Sequence, residues 1–241
     1  MRRTTLGVQL AGARASREVA HDPEQVVRAL EPLVTEARRA RLADVIARRL
    51  SSVAVVLDEP YDPHNGAAVV RSCEAFGVQS VHVVERAGTP FAVASSVARG
   101  AEKWVDLFFH ADHAALFAWA SGAGTTLVAA HAEGELVPED LAGIPRMALV
   151  LGNERDGISD RVLAGCTARV RVPMRGFAES LNMSVTAAIL LQAATRGRSG
   201  DLGADARMRL YARGLYLSVP HAQDVLAARS ASSRAGDKPG P

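Results

Sequence analysis

Apolar positions in this chain fall into short runs separated by polar and Gly-rich breaks. VAVVL (53–57), SVHVVE (80–85), KWVDLFF (103–109), TTLVAA (125–130), RMALVL (146–151) and ARVRVP (168–173) are of strand length and rich in β-branched residues. Between them lie helical stretches: NGAAVVRSCEAFG (65–77), which Gly77 ends, segments at 91–99, 111–120 and 159–164, and a long apolar helix over 181–195. Strands alternating with helices predict an α/β fold, a mostly parallel sheet covered by helices on both faces. Ahead of the first strand, TEARRARLADVIARRL (35–50) offers Thr35 as N-cap. Ala37, Leu42, Val45, Ile46 and Leu50 form its apolar stripe and the arginines lie elsewhere, so it reads as a basic amphipathic helix. After the last helix come a Gly-rich joint, TRGRSGDLGADA, and a peripheral arm over 207–229. The tail SASSRAGDKPGP (230–241) has the composition of disorder. The expected division is a basic helical extension (1–50), an α/β domain (51–195), a C-terminal arm (196–229) and the tail (230–241).

With 241 residues and 48% hydrophobic content the chain can bury a sizeable core, which excludes disorder of the whole. Cys73 and Cys166 are far apart, without C-x-x-C spacing, so neither a zinc site nor a disulfide framework is expected and a reducing, cytoplasmic compartment is. No stretch has the apolar length of a secretory signal or membrane span, which predicts a soluble protein. The net charge of +2 hides an asymmetry. Residues 1–50 carry ten Arg against six acids, 51–194 ten basic residues against sixteen acids, and 195–241 eight against four. Basic flanks around an acidic middle suit a polyanion held by the termini, with solvated helix faces as the plainer reading.

Several chemistries lack their residues. Gly122 and Gly124 make a partial G-x-G, but the third glycine is missing and the stretch precedes a strand instead of following one, so dinucleotide binding fails. No P-loop is present. HAE (131–133) lacks the P-C-x-x-C that would complete a nucleobase-deaminase site. The seven histidines are scattered, with His110 and His113 the only close pair, and no metal is assigned.

Three polar clusters follow strands: DPHNGAAVVR, GNERDG and PMRGFAESLN. In an open parallel sheet, loops at the carboxyl ends of the strands share one edge, where ligands bind. Taken singly, Asn65 is a good N-cap, Gly152 and Gly157 are turn residues, and Ser180 could cap the last helix. Taken together, Asn65 with Arg71 six residues on, the turn of LVLGNERDGIS with Glu154, and ESLNMSVTAAILL with Ser180, Asn182 and Ser184 resemble, in order, the motifs of the SPOUT 2′-O-methyltransferases of RNA. The likeness is greatest to their TrmH subfamily and covers roughly residues 35–215; residues 1–34 extend its usual start.

That resemblance implies a trefoil-knotted C-terminal half within residues 51–195 and S-adenosylmethionine as cofactor. Leu151, Gly152, Val172, Met174, Ser180 and Leu181 would line its pocket. It also implies a homodimer with the knot region at the interface and methylation of a tRNA ribose 2′-hydroxyl, at guanosine 18 of the D-loop. Arg71 would be the catalytic arginine, with Asn65, Glu154, Ser180 and Asn182 supporting the site. Arg38, Arg39, Arg41 and Arg48 on the basic helix would meet tRNA phosphates. Methyl transfer from a sulfonium to a hydroxyl needs alignment, worth about 7 kcal/mol or more in favourable cases, and no metal. Deprotonating a guanidinium at neutral pH costs about 8 kcal/mol, so charge stabilisation suits an arginine better than proton abstraction. Two other readings stay open: a ribosomal RNA 2′-O-methyltransferase, and a catalytically silent RNA-binding protein of the same fold.

Overall fold

The computed structural model describes residues 13–15, 21–86, 91 and 93–235. In chain order the elements are β1 (Ala13–Ala15), α1 (Pro23–Leu30), α2 (Glu36–Ala47), β2 (Leu50–Asp58), α3 (Pro63–Ala75), β3 (Val78–Val84), α4 (Ser95–Ala98), β4 (Asp106–His110), α5 (His113–Gly122), β5 (Thr126–Ala130), β6 (Met147–Leu151), α6 (Asp160–Gly165), β7 (Ala168–Val170), α7 (Met183–Thr195), α8 (Ala204–Ser218) and α9 (Ala222–Ala235). They divide into a sheet unit, Arg49–Asp201 with β1, and a helical unit whose described residues are 21–48 and 202–235.

In the sheet unit the strand order is β1-β4-β3-β2-β6-β5-β7. All six strands expected from the sequence are present and pair in parallel, while β1 adds an antiparallel edge on β4. β2 is buried on both sides. Its Val53, Val55 and Leu57 pack with Val69, Val70 and Cys73 of α3 and with Ala187, Leu190 and Leu191 of α7. Its Ala54 and Val56 pack with Leu116 and Ala120 of α5 and Val162 of α6. This two-sided burial is why the strand reads as a continuous apolar run instead of an alternation, and each buried Val or Leu contributes about 1.5–3 kcal/mol.

Several boundaries differ from expectation for local reasons. α3 starts at Pro63, because Asp62 caps it by accepting from the His64 N–H at 2.8 Å and Pro63 fits the first turn; Asn65 lies inside the helix and is not its cap. α7 starts at Met183, with Asn182 instead of Ser180 accepting from the Ser184 N–H at 2.8 Å. The segment 91–99 is helical only over Ser95–Ala98, and Ala92 lies outside the described residues. β4 begins at Asp106, because Ala101–Lys103 form a 3-10 turn, and β7 ends at Val170. α9 runs to Ala235, into the stretch with a disordered composition, where Ala and Ser tolerate helix; residues 236–241 lie outside the described residues. So do residues 1–12 and 16–20 of the N-terminal extension.

The helical unit packs α1 and α2 against α8, and α9 against α1. Thr35 caps α2 through the Arg38 N–H, as its sequence predicts, and Leu42 and Ile46 are its buried residues. Gly214 lets α2 approach, since a Cβ there would sit 2.7 Å from Leu42 Cδ2. Tyr211 donates its hydroxyl to Glu31 at 2.7 Å, and burial, with that bond, pushes its pKa up to about 12.

A buried histidine pair lies within the sheet unit. His82 on β3 and His110 on β4 approach at 2.9 Å between Nδ1 and Nε2, and His82 stacks on Trp119 at 3.5 Å between ring centroids. The other nitrogens, His82 Nε2 and His110 Nδ1, have no hydrogen-bond partner among the described residues. Burial drives the pKa of both rings down, and the neighbouring His110 adds to the effect at His82. A lowered folded-state pKa means that the unfolded chain binds more protons, so stability falls as pH drops below the ordinary imidazole value of about 6.5 and continues falling towards the folded-state pKa. The melting temperature of the wild type should therefore decline on going from pH 7.5 to 5.5. A His82→Phe/His110→Phe double variant, with the rings kept and the pair removed, should lose much of that decline. An equal decline in both would show that the pair contributes nothing to acid sensitivity.

Candidate active site

β2 and β6 lie side by side in register, Leu57 beside Leu151, so the loops leaving their carboxyl ends emerge together. The first loop enters α3, where Asn65 sits in the opening turn. The second, residues 152–158, folds back on itself. Asn153 and Gly157 exchange both backbone hydrogen bonds at 3.0 and 3.1 Å, Asn153 Oδ1 accepts from the N–H groups of Arg155 and Asp156, and Gly157 takes a φ of 73°. Gly152 is required here. A Cβ on it would lie 2.1 Å from the Gly157 carbonyl carbon and 2.2 Å from the Ile158 nitrogen.

This closed loop carries Glu154 to the first turn of α3. Asn65 Nδ2 donates to Glu154 Oε1 at 2.7 Å, Asn182 Nδ2 donates to Asn65 Oδ1 at 3.1 Å, and Asn182 Oδ1 accepts from the Ser184 N–H and hydroxyl at 2.8 and 2.7 Å. One hydrogen-bonded chain thus joins all three of the polar clusters named from the sequence. Ser180 is not part of it: the residue is exposed and makes no hydrogen bond among the described residues. Arg71 lies six residues beyond Asn65, about 9 Å up the helix, exposed and with no hydrogen bond or ion pair among the described residues.

The third cluster leaves β7. From Val172 to Leu181 no backbone group makes a hydrogen bond among the described residues. Met174 and Leu181 are exposed, Val172 is half-buried against the core, and Leu151 is buried at the end of β6. Apolar side chains with backbone groups left without partners among the described residues are the two features an adenosyl group asks of a site.

Other residues of this edge carry weaker signals in the sequence. Buried Asp58, which ends β2, accepts from the Ser159 N–H at 2.8 Å and contacts His113 Nε2 at 3.2 Å, tying β2 to the starts of α6 and α5; an acid closing an apolar run was its only mark. The His64 N–H, then its imidazole, hold the Asp62 carboxyl below its ordinary pKa. Gly134, after β5, passes so close to β7 that a Cβ would lie 2.5 Å from the Val170 carbonyl carbon, and its carbonyl accepts from Arg171. Nothing in HAEGEL announces that crossing. Tyr61 and Arg155 face each other across the first two loops, with Arg155 Nη2 donating to the Tyr61 hydroxyl at 2.6 Å and its guanidinium carbon 3.7 Å from the ring centroid.

The basic helix in the helical unit divides its arginines. Arg38, half-buried, donates to Ser218 on α8 at 3.1 Å; Arg39 is half-buried; Arg48 pairs with Asp44; Arg41 points to solvent. Among the described residues no group of three His, Cys, Asp or Glu side chains converges to hold a metal ion, and no helix is long and apolar enough to cross a membrane.

Residues 52–192, which include every member of the hydrogen-bonded chain, match the family model described as the SpoU rRNA methylase family. The chain belongs to that family. It is 35% identical over 166 residues to the tRNA (guanosine(18)-2′-O)-methyltransferase of Thermus thermophilus, covering 68% of this chain and 84% of that protein. The TrmH/SpoU tRNA modifying enzyme of A. aeolicus superimposes with a TM-score of 0.67 at 28% identity, over 77% of this chain and 98% of that one. The SpoU methyltransferase AviRb from Streptomyces viridochromogenes, in complex with AdoMet, superimposes with a TM-score of 0.56 at 26% identity, over 64% of this chain and 63% of that one.

Gly152→Ala should force the second loop open, because the obstacle is backbone and cannot rotate away. Overpacking of this kind costs about 1–3 kcal/mol. Urea denaturation should show a loss of that order, together with weakened binding of S-adenosylmethionine in calorimetry. Unchanged values for both would mean that the loop crossing is looser than described.

Proposed function

We propose that this protein transfers a methyl group from S-adenosylmethionine to a ribose 2′-hydroxyl of tRNA, at guanosine 18 of the D-loop. The observation that carries the reading is the chain Glu154–Asn65–Asn182–Ser184, which gathers three polar loops beside an arginine left without a partner among the described residues. The named relative from Thermus thermophilus supports the substrate and the position, and the AdoMet complex of AviRb supports the cofactor.

Leu151, Val172, Met174 and Leu181 would hold the adenine, and Gly152, Ser180 and the free backbone between them would meet its polar edge. Bound S-adenosylmethionine supplies an electrophilic methyl group. Arg71 would contact the phosphate beside the target ribose and stabilise the alkoxide developing on the 2′-oxygen; a guanidinium remains protonated and offers five donors in a fixed fork. Asn65, Glu154 and Asn182 would keep the loops in register around it. The trefoil knot that the family likeness implies would lie in this region, where Gly134 passes against Val170 and Arg171 with no room for a Cβ. Arg38, Arg39, Arg41 and Arg48 would contribute to the tRNA surface, Arg41 with the fewest competing contacts of its own. The free thiols Cys73 and Cys166 suit a cytoplasmic protein.

Exposed apolar groups support a homodimer formed through the same region. Val185 and Ile189, one turn apart on α7, are 47% and 37% exposed, and Phe177 in the preceding loop is fully so. A second copy would cover them. Light scattering should give the mass of two chains for wild type and of one for Val185→Glu/Ile189→Glu, with unchanged helical circular dichroism. A dimeric double variant would place the interface elsewhere.

The decisive test is methyl transfer from labelled S-adenosylmethionine to unmodified tRNA and ribosomal RNA transcripts, with the product nucleotide mapped. Guanosine 18 should carry the label. Arg71→Lys, which keeps the charge and loses the fork, should reduce turnover by about 10²–10³, the range for losing one aligned charge-stabilising donor. Wild-type turnover in that variant would remove Arg71 from the chemistry. Label in ribosomal RNA alone would favour the activity in the family's own description, and cofactor binding with no methylated RNA would leave a silent RNA-binding protein.

A further inference from the structure

Arg155 is fixed, yet it is neither buried nor paired with a carboxylate among the described residues. Its backbone N–H is held by Asn153 Oδ1 at 2.9 Å within a loop closed at both ends, its Nη2 donates to the Tyr61 hydroxyl, and its guanidinium carbon lies 3.7 Å from the Tyr61 ring centroid. Both side chains remain exposed, Tyr61 by 48%. An arginine on a surface loop ordinarily loses rotamer freedom when it binds anything; this one is already held at its guanidinium, so less is left to lose. The two loops are joined independently by Asn65 and Glu154, so the pair is not needed as their only fastening. What it leaves open is an exposed planar cation, held by a tyrosine, on the residue next to Glu154.

We propose that Arg155, backed by Tyr61, is a stacking platform for a nucleobase of the RNA, flanking the nucleotide whose ribose is methylated. Planar guanidinium groups and aromatic rings are the surfaces on which unstacked RNA bases settle. A base stacked on the guanidinium of Arg155, which Tyr61 holds in place, fixes the strand relative to the loop that carries Glu154. The proposal rests on the reading of this protein as an RNA methyltransferase.

The plane, more than the charge, is what the platform requires, and this decides the variants. Arg155→Ala and Arg155→Lys should both weaken RNA binding roughly tenfold in filter binding, in line with the cost of one stacked base. Tyr61→Leu should do the same, while Tyr61→Phe keeps the ring and most of the affinity. S-adenosylmethionine affinity and melting temperature should stay at wild-type values in all four, since neither side chain is buried. RNA with 2-aminopurine next to the mapped methylation site should lose fluorescence on binding wild type, and should keep it with Arg155→Lys. Wild-type affinity in Arg155→Lys would identify a charge contact to phosphate and overturn the platform. Unchanged affinity in Arg155→Ala, in an enzyme that methylates its RNA, would overturn it too while leaving the functional reading intact. A wild-type protein that bound no RNA would overturn both.

Discussion

A carboxylate can only accept hydrogen bonds, and the arrangement of the candidate site follows from that restriction acting at Glu154. Because Oε1 of Glu154 accepts, Asn65 must turn its nitrogen towards it and its oxygen away. That oxygen then requires a donor, so Asn182 presents Nδ2 and is left with Oδ1 facing its own helix, where the Ser184 N–H and hydroxyl meet it. One acceptor-only group therefore sets the direction of two side-chain amides and ends by capping α7. Aspartate at position 65 would place carboxylate against carboxylate; leucine would leave Glu154 and Asn182 without their shared partner. The chain forms only because β2 and β6 are neighbours in register, and that adjacency rests on apolar burial on both sides of the central strand.

Much of this was legible in the sequence, for reasons that differ by element. The central parallel strands stand out because burial on both faces demands unbroken runs such as VAVVL and RMALVL, whereas β7, at the sheet edge, reads as the alternation ARVRVP. β1 does not, since the three residues ARA carry no apolar pattern and the strand exists only by pairing on β4. α1 had a usable signal in Asp22 followed by Pro23, cap and first turn, which the composition of its surroundings obscured. The helix starts were misplaced where two capping residues lie close together. Asp62 prevails over Asn65 because Pro63 fixes the first turn, and Asn182 takes the place of Ser180 because its other end is already tied to Asn65.

The site divides in the same way. Asn65, Glu154 and Asn182 were visible as members of spaced motifs, and the fold brings them into contact. What no spacing reveals is where backbone must pass backbone: Gly134 in HAEGEL looks like any surface glycine, and only the approach of β7 shows why a side chain is excluded. Nor does composition reveal which arginines of a basic helix are taken up by packing. The approximate stripe of Leu42 and Ile46 turns Arg38 and Arg39 towards half-buried positions, while Arg41 faces solvent.

The acidity of residues 51–194, sixteen acids against ten bases, looks unfavourable for a surface that must receive RNA. The hydrogen bonds of this edge resolve that tension locally. Asp58 is occupied by a backbone N–H and a histidine, Asp62 by the N–H and imidazole of His64, and Glu154 by the amide of Asn65. These three acids are thus satisfied by donors other than arginine. Arg71 in turn has no ion pair among the described residues, and Arg155 is held by a phenol instead of a carboxylate. A guanidinium already paired with a carboxylate would have to break that pair to meet a phosphate or a developing alkoxide. Here the pairing pattern leaves those cations available, so the charge that matters is set by which donors the acids use and not by their number.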